Sequence, residues 1–212
     1  MTVEHVNECD QRNNRVTFCG ERSAMPSAIS VAGESNRLDL GSGGKLAGLQ
    51  VTVKGSRNRL MIGDDCILNG RIIIKGDAQT VRIGARTSFQ NVSVYSVEGC
   101  DVTIGEDCMF SKRIEIRTSD SHSIIDRATG LRLNRPGSVT IGDHVWIGLE
   151  AVVSKGVRVP DNSIVGAKSF VNKSFHEPYV LIAGAPAAII RRNVDWDRRL
   201  LPVEPELALR QA

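Results

Sequence analysis

The chain is poor in aromatic residues: five Phe, two Trp and two Tyr among 212 positions. So few rings cannot dominate a core of the size that this length can bury, so the core must be aliphatic. No apolar run approaches the roughly 18 residues of a membrane span. The polar, acid-bearing start MTVEHVNECDQRNNR does not read as a secretory signal. Cysteines 9, 19, 66, 100 and 108 are odd in number and form no CxxC, which favours free thiols in a reducing, cytoplasmic setting. Twenty-seven Lys and Arg against 24 Asp and Glu leave a net charge of only +3. With no basic run interleaved with aromatics, nothing points to nucleic acid. What the chain does have is glycine, 20 residues spread throughout, which disfavours a helical bundle.

An internal repeat accounts for that spread. Asn14-Arg-Val-Thr-Phe18 returns as Asn36-Arg-Leu-Asp-Leu40 and Asn58-Arg-Leu-Met-Ile62, with weaker echoes ending at Ile83, Ile104 and Ile141. These ends are 22, 22, 21, 21 and 37 residues apart. After Ile141 a period of six appears: Ile141, Ile147, Val153, Val159, Val165 and Val171. A small or β-branched residue follows four positions after each of the first five (Val145, Ala151, Val157, Ser163, Ser169), and a glycine often follows directly, as at Gly142, Gly148 and Gly166. A helical period cannot generate this, whereas short alternating strands joined by glycine corners can. Three six-residue sides make one 18-residue triangular coil of a parallel β-helix. Coils of 21 or 22 residues then bulge at one corner, with Lys54-Gly55 and Lys75-Gly76 as the candidates. Cys66 and Cys108 fall in the small inward slot and read as core filler.

The recurring [Ile/Leu/Val]-Gly-x-x-small-x phrase resembles the hexapeptide of left-handed β-helix acyltransferases. That resemblance implies the left hand, which the period does not supply. The expected fold is all-β, a left-handed parallel β-helix of about eight triangular coils over residues 14–190. An N-terminal arm or cap would occupy 1–13, and 191–212 would form a short C-terminal segment, helical and covering the open end.

The 37-residue interval between Ile104 and Ile141 implies an excursion over roughly residues 117–136, where function tends to reside in so regular a fold. It holds His122, with Asp120 two residues earlier and so on the same side of an extended segment. A lone surface histidine is the bland alternative. The Asp-x-His phrase resembles the family's catalytic signature at that place in the coil order, which implies His122 as general base. Asp120, or a backbone carbonyl, would fix its tautomer.

Periodicity independently places Trp146 outward, between inward Val145 and Ile147, in a column with Ile164 and Ile182. Such an apolar stripe marks a subunit contact or a ligand wall. His-Val-Trp-Ile-Gly at 144–148 resembles the family element whose Trp lies beside the thioester of acetyl-coenzyme A. The same likeness implies homotrimers with the donor in a cleft between prisms, backbone contacts from Leu149, Ala167 and Ala185, and phosphate contacts from Lys173 and Arg191. Leu149 and Ala188 depart from the small or polar and the basic residues usual there. Ala183-Gly-Ala-Pro-Ala-Ala-Ile-Ile-Arg191 resembles the family's closing motif.

The phrases Asp-Cys-Met at 107–109, Glu-Ile-Arg at 115–117 and Lys-Ser-Phe at 173–175 resemble bacterial polysaccharide O-acetyltransferases, particularly those acting on sialic-acid-containing capsules. The expected activity is direct acetyl transfer from acetyl-CoA to a sugar hydroxyl in a ternary complex, without metal. A small sugar or xenobiotic acceptor is the alternative within the class. A zinc hydratase of the γ-carbonic-anhydrase type would need a close histidine pair, but His122, His144 and His176 are 22 and 32 residues apart. A non-catalytic β-helix scaffold needs neither His122 nor Trp146.

Overall fold

The Arg/Thr-aliphatic phrases become a stack of short parallel strands. Arg15–Phe18, Arg37–Leu40, Arg59–Ile62, Thr80–Ile83, Val102–Ile104, Val139–Ile141 and Arg158–Val159 pair in that order and form the first face of a triangular prism. Alternation sends Leu38, Leu40, Leu60, Val81 and Ile104 inward to near-zero exposure, while the residues between them face out. This computed structural model describes residues 6–9, 11–21 and 23–202.

The second and third faces are continuous in the longer coils. Lys45–Lys54, Ile67–Lys75, Ser88–Val97 and Met109–Arg117 each bend once, where the register shifts, and so cover two faces. In the tighter 18-residue coils the faces have separate strands, Trp146–Ile147 and Ile164–Val165 on the second, Val152–Val153 and Phe170–Val171 on the third. The extra residues of the long coils sit at the third-to-first corner, at Gly55 and Gly76, with φ of 123° and 129°. A Cβ on Gly55 would lie 2.0 Å from the Gly76 carbonyl oxygen, so both the turn and the stacking demand glycine there.

Two expectations need correction. The prism has about seven turns rather than eight, because the hexad fails after Val171: Glu177 stands where an inward aliphatic would open another first-face strand. Val180–Gly184 adds one strand to the second face, and the chain then reverses, with Ala187–Arg192 pairing antiparallel to it. The glycines after each aliphatic, moreover, do not turn the corner. Gly63, Gly84, Gly105 and Gly142 are not left-handed; the left-handed residue is two further on, Asp65, Arg86, Asp107 and His144, with φ of 51–59°. Those glycines permit coil stacking instead, since a Cβ at Gly63 would lie 2.5 Å from the Ala85 nitrogen.

Polar residues inside the prism are satisfied by the same stacking. Asn14, Asn36, Asn58 and Gln79 form a buried ladder: the Asn36 and Asn58 N–H groups donate to the carboxamide oxygen one coil earlier, at 3.0 and 2.9 Å. The Asn36 and Asn58 amides donate onward to the carbonyls of Gly55 and Gly76, both at 2.8 Å. Cys66 and Cys108 are buried free thiols, and burial pushes Cys108 up to about 12, so it stays protonated as filler. Part of the expected N-terminal arm is a strand: Val6–Cys9 pairs antiparallel with Arg15–Phe18, while residues 1–5 and 10 lie outside the described residues. No helix occurs among the described residues. The expected helical segment is therefore absent up to residue 202, and 203–212 lie outside the described residues.

Candidate active site

The chain leaves the third face at Arg117 and returns at Gly137, whose N–H donates to the Thr118 carbonyl at 2.9 Å. The excursion between them is a small irregular hairpin. Asp126 N–H bonds the Leu131 carbonyl and Leu133 N–H the Ile124 carbonyl, both at 2.8 Å, and the Asp126 carboxylate caps the turn at Ala128 and Thr129. Ile124, Ile125, Leu131 and Leu133 are each more than half exposed on it.

Its base is held by polar contacts. The Asp120 carboxylate accepts from the Lys155 ammonium and from the Asn134 amide, the latter at 2.7 Å. The same amide donates to the His122 carbonyl at 2.8 Å, and Asn134 Oδ1 accepts the Ile124 N–H at 2.7 Å. Glu98 takes the Ser119 hydroxyl and two bonds from the Arg132 guanidinium. The His122 side chain is exposed, and its ring makes no hydrogen bond among the described residues. Asp120 therefore organises the backbone that carries His122, and the structure does not place its carboxylate on the imidazole.

The Lys155 and Asn134 hydrogen bonds hold the Asp120 carboxyl below its ordinary range. A carboxylate lowered on folding stabilises the folded state above its unfolded pKa, and that contribution disappears as pH falls through the lowered value. Acidification is accordingly expected to lower amide protection factors, corrected for the intrinsic pH dependence of exchange, over residues 119–136 before the prism core opens. Simultaneous loss of protection in the excursion and in core strands such as Val102–Ile104 would contradict this.

Trp146 points outward as expected, 38% exposed between buried Val145 and Ile147. Its column runs Met109, Trp146, Ile164, then Leu181 rather than Ile182. The last coil is one residue shorter, so Ile182 pairs with Val165 and is fully buried. The same slip puts Ala185 one residue beyond the register, exposed in the turn of the closing hairpin, with Gly184 taking the place after Ala183. Ala167 is exposed; Leu149 is half-buried, its carbonyl accepting the Lys168 N–H at 2.7 Å. Lys173 is exposed with its ammonium 5.7 Å from the Phe175 ring centroid, and Arg191 is exposed on the closing strand.

The expected cover over the open end is not what the described contacts of the segment after Arg192 form. The segment runs back along the second face as a strap. The buried Trp196 stacks on His144 with centroids 4.3 Å apart, donates its indole N–H to the His144 carbonyl at 2.9 Å, and lies 6.3 Å from the Trp146 ring. His144 Nδ1 is 2.7 Å from Asp107, and Arg198 reaches Asp107, the Ser88 hydroxyl and the Cys108 carbonyl. Burial alone would raise the Asp107 carboxyl, but the His144 and Arg198 hydrogen bonds outweigh it and leave it lowered. Sequence reasoning missed Trp196, although it is one of only two tryptophans in the chain.

Comparison with known proteins places this architecture. A profile described as the hexapeptide repeat of succinyl-transferase matches residues 138–173. Over 188 residues the chain is 32% identical to the polysialic acid O-acetyltransferase of Neisseria meningitidis, covering 89% of this chain and 87% of that one. Two solved structures are similar. The polysialic acid O-acetyltransferase OatWY has a TM-score of 0.73 at 29% identity, over 85% of this chain and 89% of that one. The polySia-specific acetyltransferase NeuO has a TM-score of 0.70 at 28% identity, over 88% and 85%. The stacked coils with one long excursion define a β-helix acyltransferase, and the chain belongs to the hexapeptide-repeat acyltransferase family. Polysialic acid O-acetyltransferases are among the relatives it matches over most of their length.

Proposed function

We propose that the protein transfers an acetyl group from acetyl-CoA to a hydroxyl of an acidic bacterial surface sugar, such as a sialic-acid-containing capsule polymer, in the cytoplasm. The observation that carries this reading is the alignment over most of a polysialic acid O-acetyltransferase. Donor chemistry fits the residues present. Trp146 and Leu181 supply apolar surface to either side of Ile164, which is itself buried, exposed Ala167 and Gly184 admit close approach of a chain, and exposed Lys173 and Arg191 suit phosphates.

His122 acts as general base. A hydroxyl is a weak nucleophile at neutral pH, and the imidazole takes its proton as the new ester bond to the acetyl carbon forms. The carbon–sulfur bond of the donor thioester breaks, and the imidazolium returns the proton to the departing thiolate. Transfer is direct, in a ternary complex, with a backbone N–H stabilising the oxyanion. His122 lies beyond the third face, whereas Trp146 stands on the second, so a single chain does not bring them together. The complete site thus lies between neighbouring copies, in a homotrimer whose exposed excursion residues Ile124, Ile125, Leu131 and Leu133 are available to the next prism.

The direct test is release of free thiol from acetyl-CoA across a panel of bacterial glycans and simple sugars. Release is expected with polysialic polymers; release only with uncharged monosaccharides would overturn the acceptor class. Trp146→Ala is expected to raise the Michaelis constant for acetyl-CoA about tenfold, since losing an apolar contact of this size costs roughly 1.5 kcal/mol. Unchanged donor kinetics would remove Trp146 from the groove.

A further inference from the structure

The start of the first face carries a column of like charge. Arg15 pairs in register with Arg37, and Arg37 with Arg59. Neighbouring strands lie about 4.8 Å apart, so three guanidinium-bearing side chains repeat at that spacing along the prism axis. On the fourth rung Arg82 follows two positions beyond Thr80. All four arginines are exposed, and the three in the column form no ion pair or side-chain hydrogen bond among the described residues. Asp39, in the neighbouring column, is the one acid among the outward residues of these four strands.

Like charges stacked opposite one another on a sheet are destabilising. Several other arginines of this chain are paired with acids, as in Arg86–Glu106, Arg113–Glu150 and Arg132–Glu98. The ladder lacks such partners, and it starts at the third-to-first corner, the prism edge from which the His122 excursion leaves. Arg59 stands two coils before the coil that carries His122. No aromatic residue faces outward on these strands, so nothing offers nucleobases a stacking platform. Guanidinium groups suit carboxylates, which they bind through paired N–H donors.

We propose that Arg15, Arg37 and Arg59 form an exosite for a linear carboxylated polysaccharide, which runs along this edge while a residue several sugars away reaches His122. The polymer's identity rests on the acceptor class proposed above; the anion-binding role does not. A long acceptor is thereby held by its charge, and a short one is not.

The test uses the full-length protein and the triple variant Arg15→Ser, Arg37→Ser, Arg59→Ser. Binding to immobilised long-chain polysialic acid is measured at increasing salt, and acetyl transfer is measured to that polymer and to a sialic acid trimer. The variant is expected to bind the polymer about tenfold or more weaker, with a shallower salt dependence. Its Michaelis constant for the polymer should rise in step, while kcat and trimer kinetics stay unchanged. Equal polymer binding by the two proteins overturns the exosite, even if transfer to polymer and trimer proceeds and the acceptor reading stands. Arginine-dependent polymer binding without any transfer supports the exosite and defeats the acceptor reading instead. Preference for single-stranded DNA over polysialic acid, with the same arginine dependence, overturns the carboxylated polymer as occupant.

Discussion

His122→Ala is expected to lower acetyl transfer by about 10²- to 10⁴-fold while acetyl-CoA still binds. The size of the effect follows from the chemistry, because without a base the acceptor hydroxyl must lose its proton to water as it attacks. The selectivity follows from the structure. The imidazole is exposed and bonds nothing among the described residues, whereas the hairpin base is held through the His122 carbonyl, Asp120, Asn134 and Lys155. Removing the ring leaves those contacts in place, so thermal stability should match the wild type. Thiol release gives the rate, and calorimetric titration with acetyl-CoA gives donor binding. Near-normal turnover in this variant would rule out His122 as the base.

Asn36→Ala should cost the fold about 3 kcal/mol, because it strands two buried backbone groups at about 1–3 kcal/mol each. The Asn36 oxygen accepts the Asn58 N–H, and its amide donates to the Gly55 carbonyl as well as to Asn14. Asn36 is fully buried between two other rungs of the same ladder, so solvent does not replace these bonds. In a chain of this length a loss of that size corresponds to roughly 6–12 °C in Tm. Urea unfolding followed by far-UV circular dichroism measures it, and a loss below about 1 kcal/mol would show that the ladder is not a unit of stability.

The two outcomes depend on features that were unequally legible in the sequence. The six-residue period disclosed three faces, inward Val145 and Ile147 and outward Trp146, because stacked coils repeat one geometry and leave it in the spacing of aliphatic residues. Counting failed where the geometry changes. Beyond Val171 the last coil is one residue short, so the extrapolated Ile182 and Ala185 miss the columns that Leu181 and Gly184 occupy. Glycine was legible as punctuation but not as cause: its lack of a Cβ matters for contact with the next coil, and polar residues such as Asp107 and His144 make the left-handed turn.

The contacts around the site were harder to read because they join residues one coil apart. Asp120 meets Lys155 because the third face continues from Glu115 to Val152 and from Ile116 to Val153. The same 37-residue step that separates Ile104 from Ile141 carries Thr118 to Lys155, so the pairing was present in the spacing. The strap had no such signal. Trp196 lies outside the repeat, and its place on His144 is set by packing rather than by periodicity.

At each end of the prism one face finishes in a strand of reversed polarity, Val6–Cys9 at one end and Ala187–Arg192 at the other. A stack of parallel strands is a template that another copy could extend indefinitely, coil upon coil. An antiparallel terminal strand presents its hydrogen-bonding groups in the wrong pattern for that continuation. Those two edges are thus guarded against growth into fibres along the prism axis.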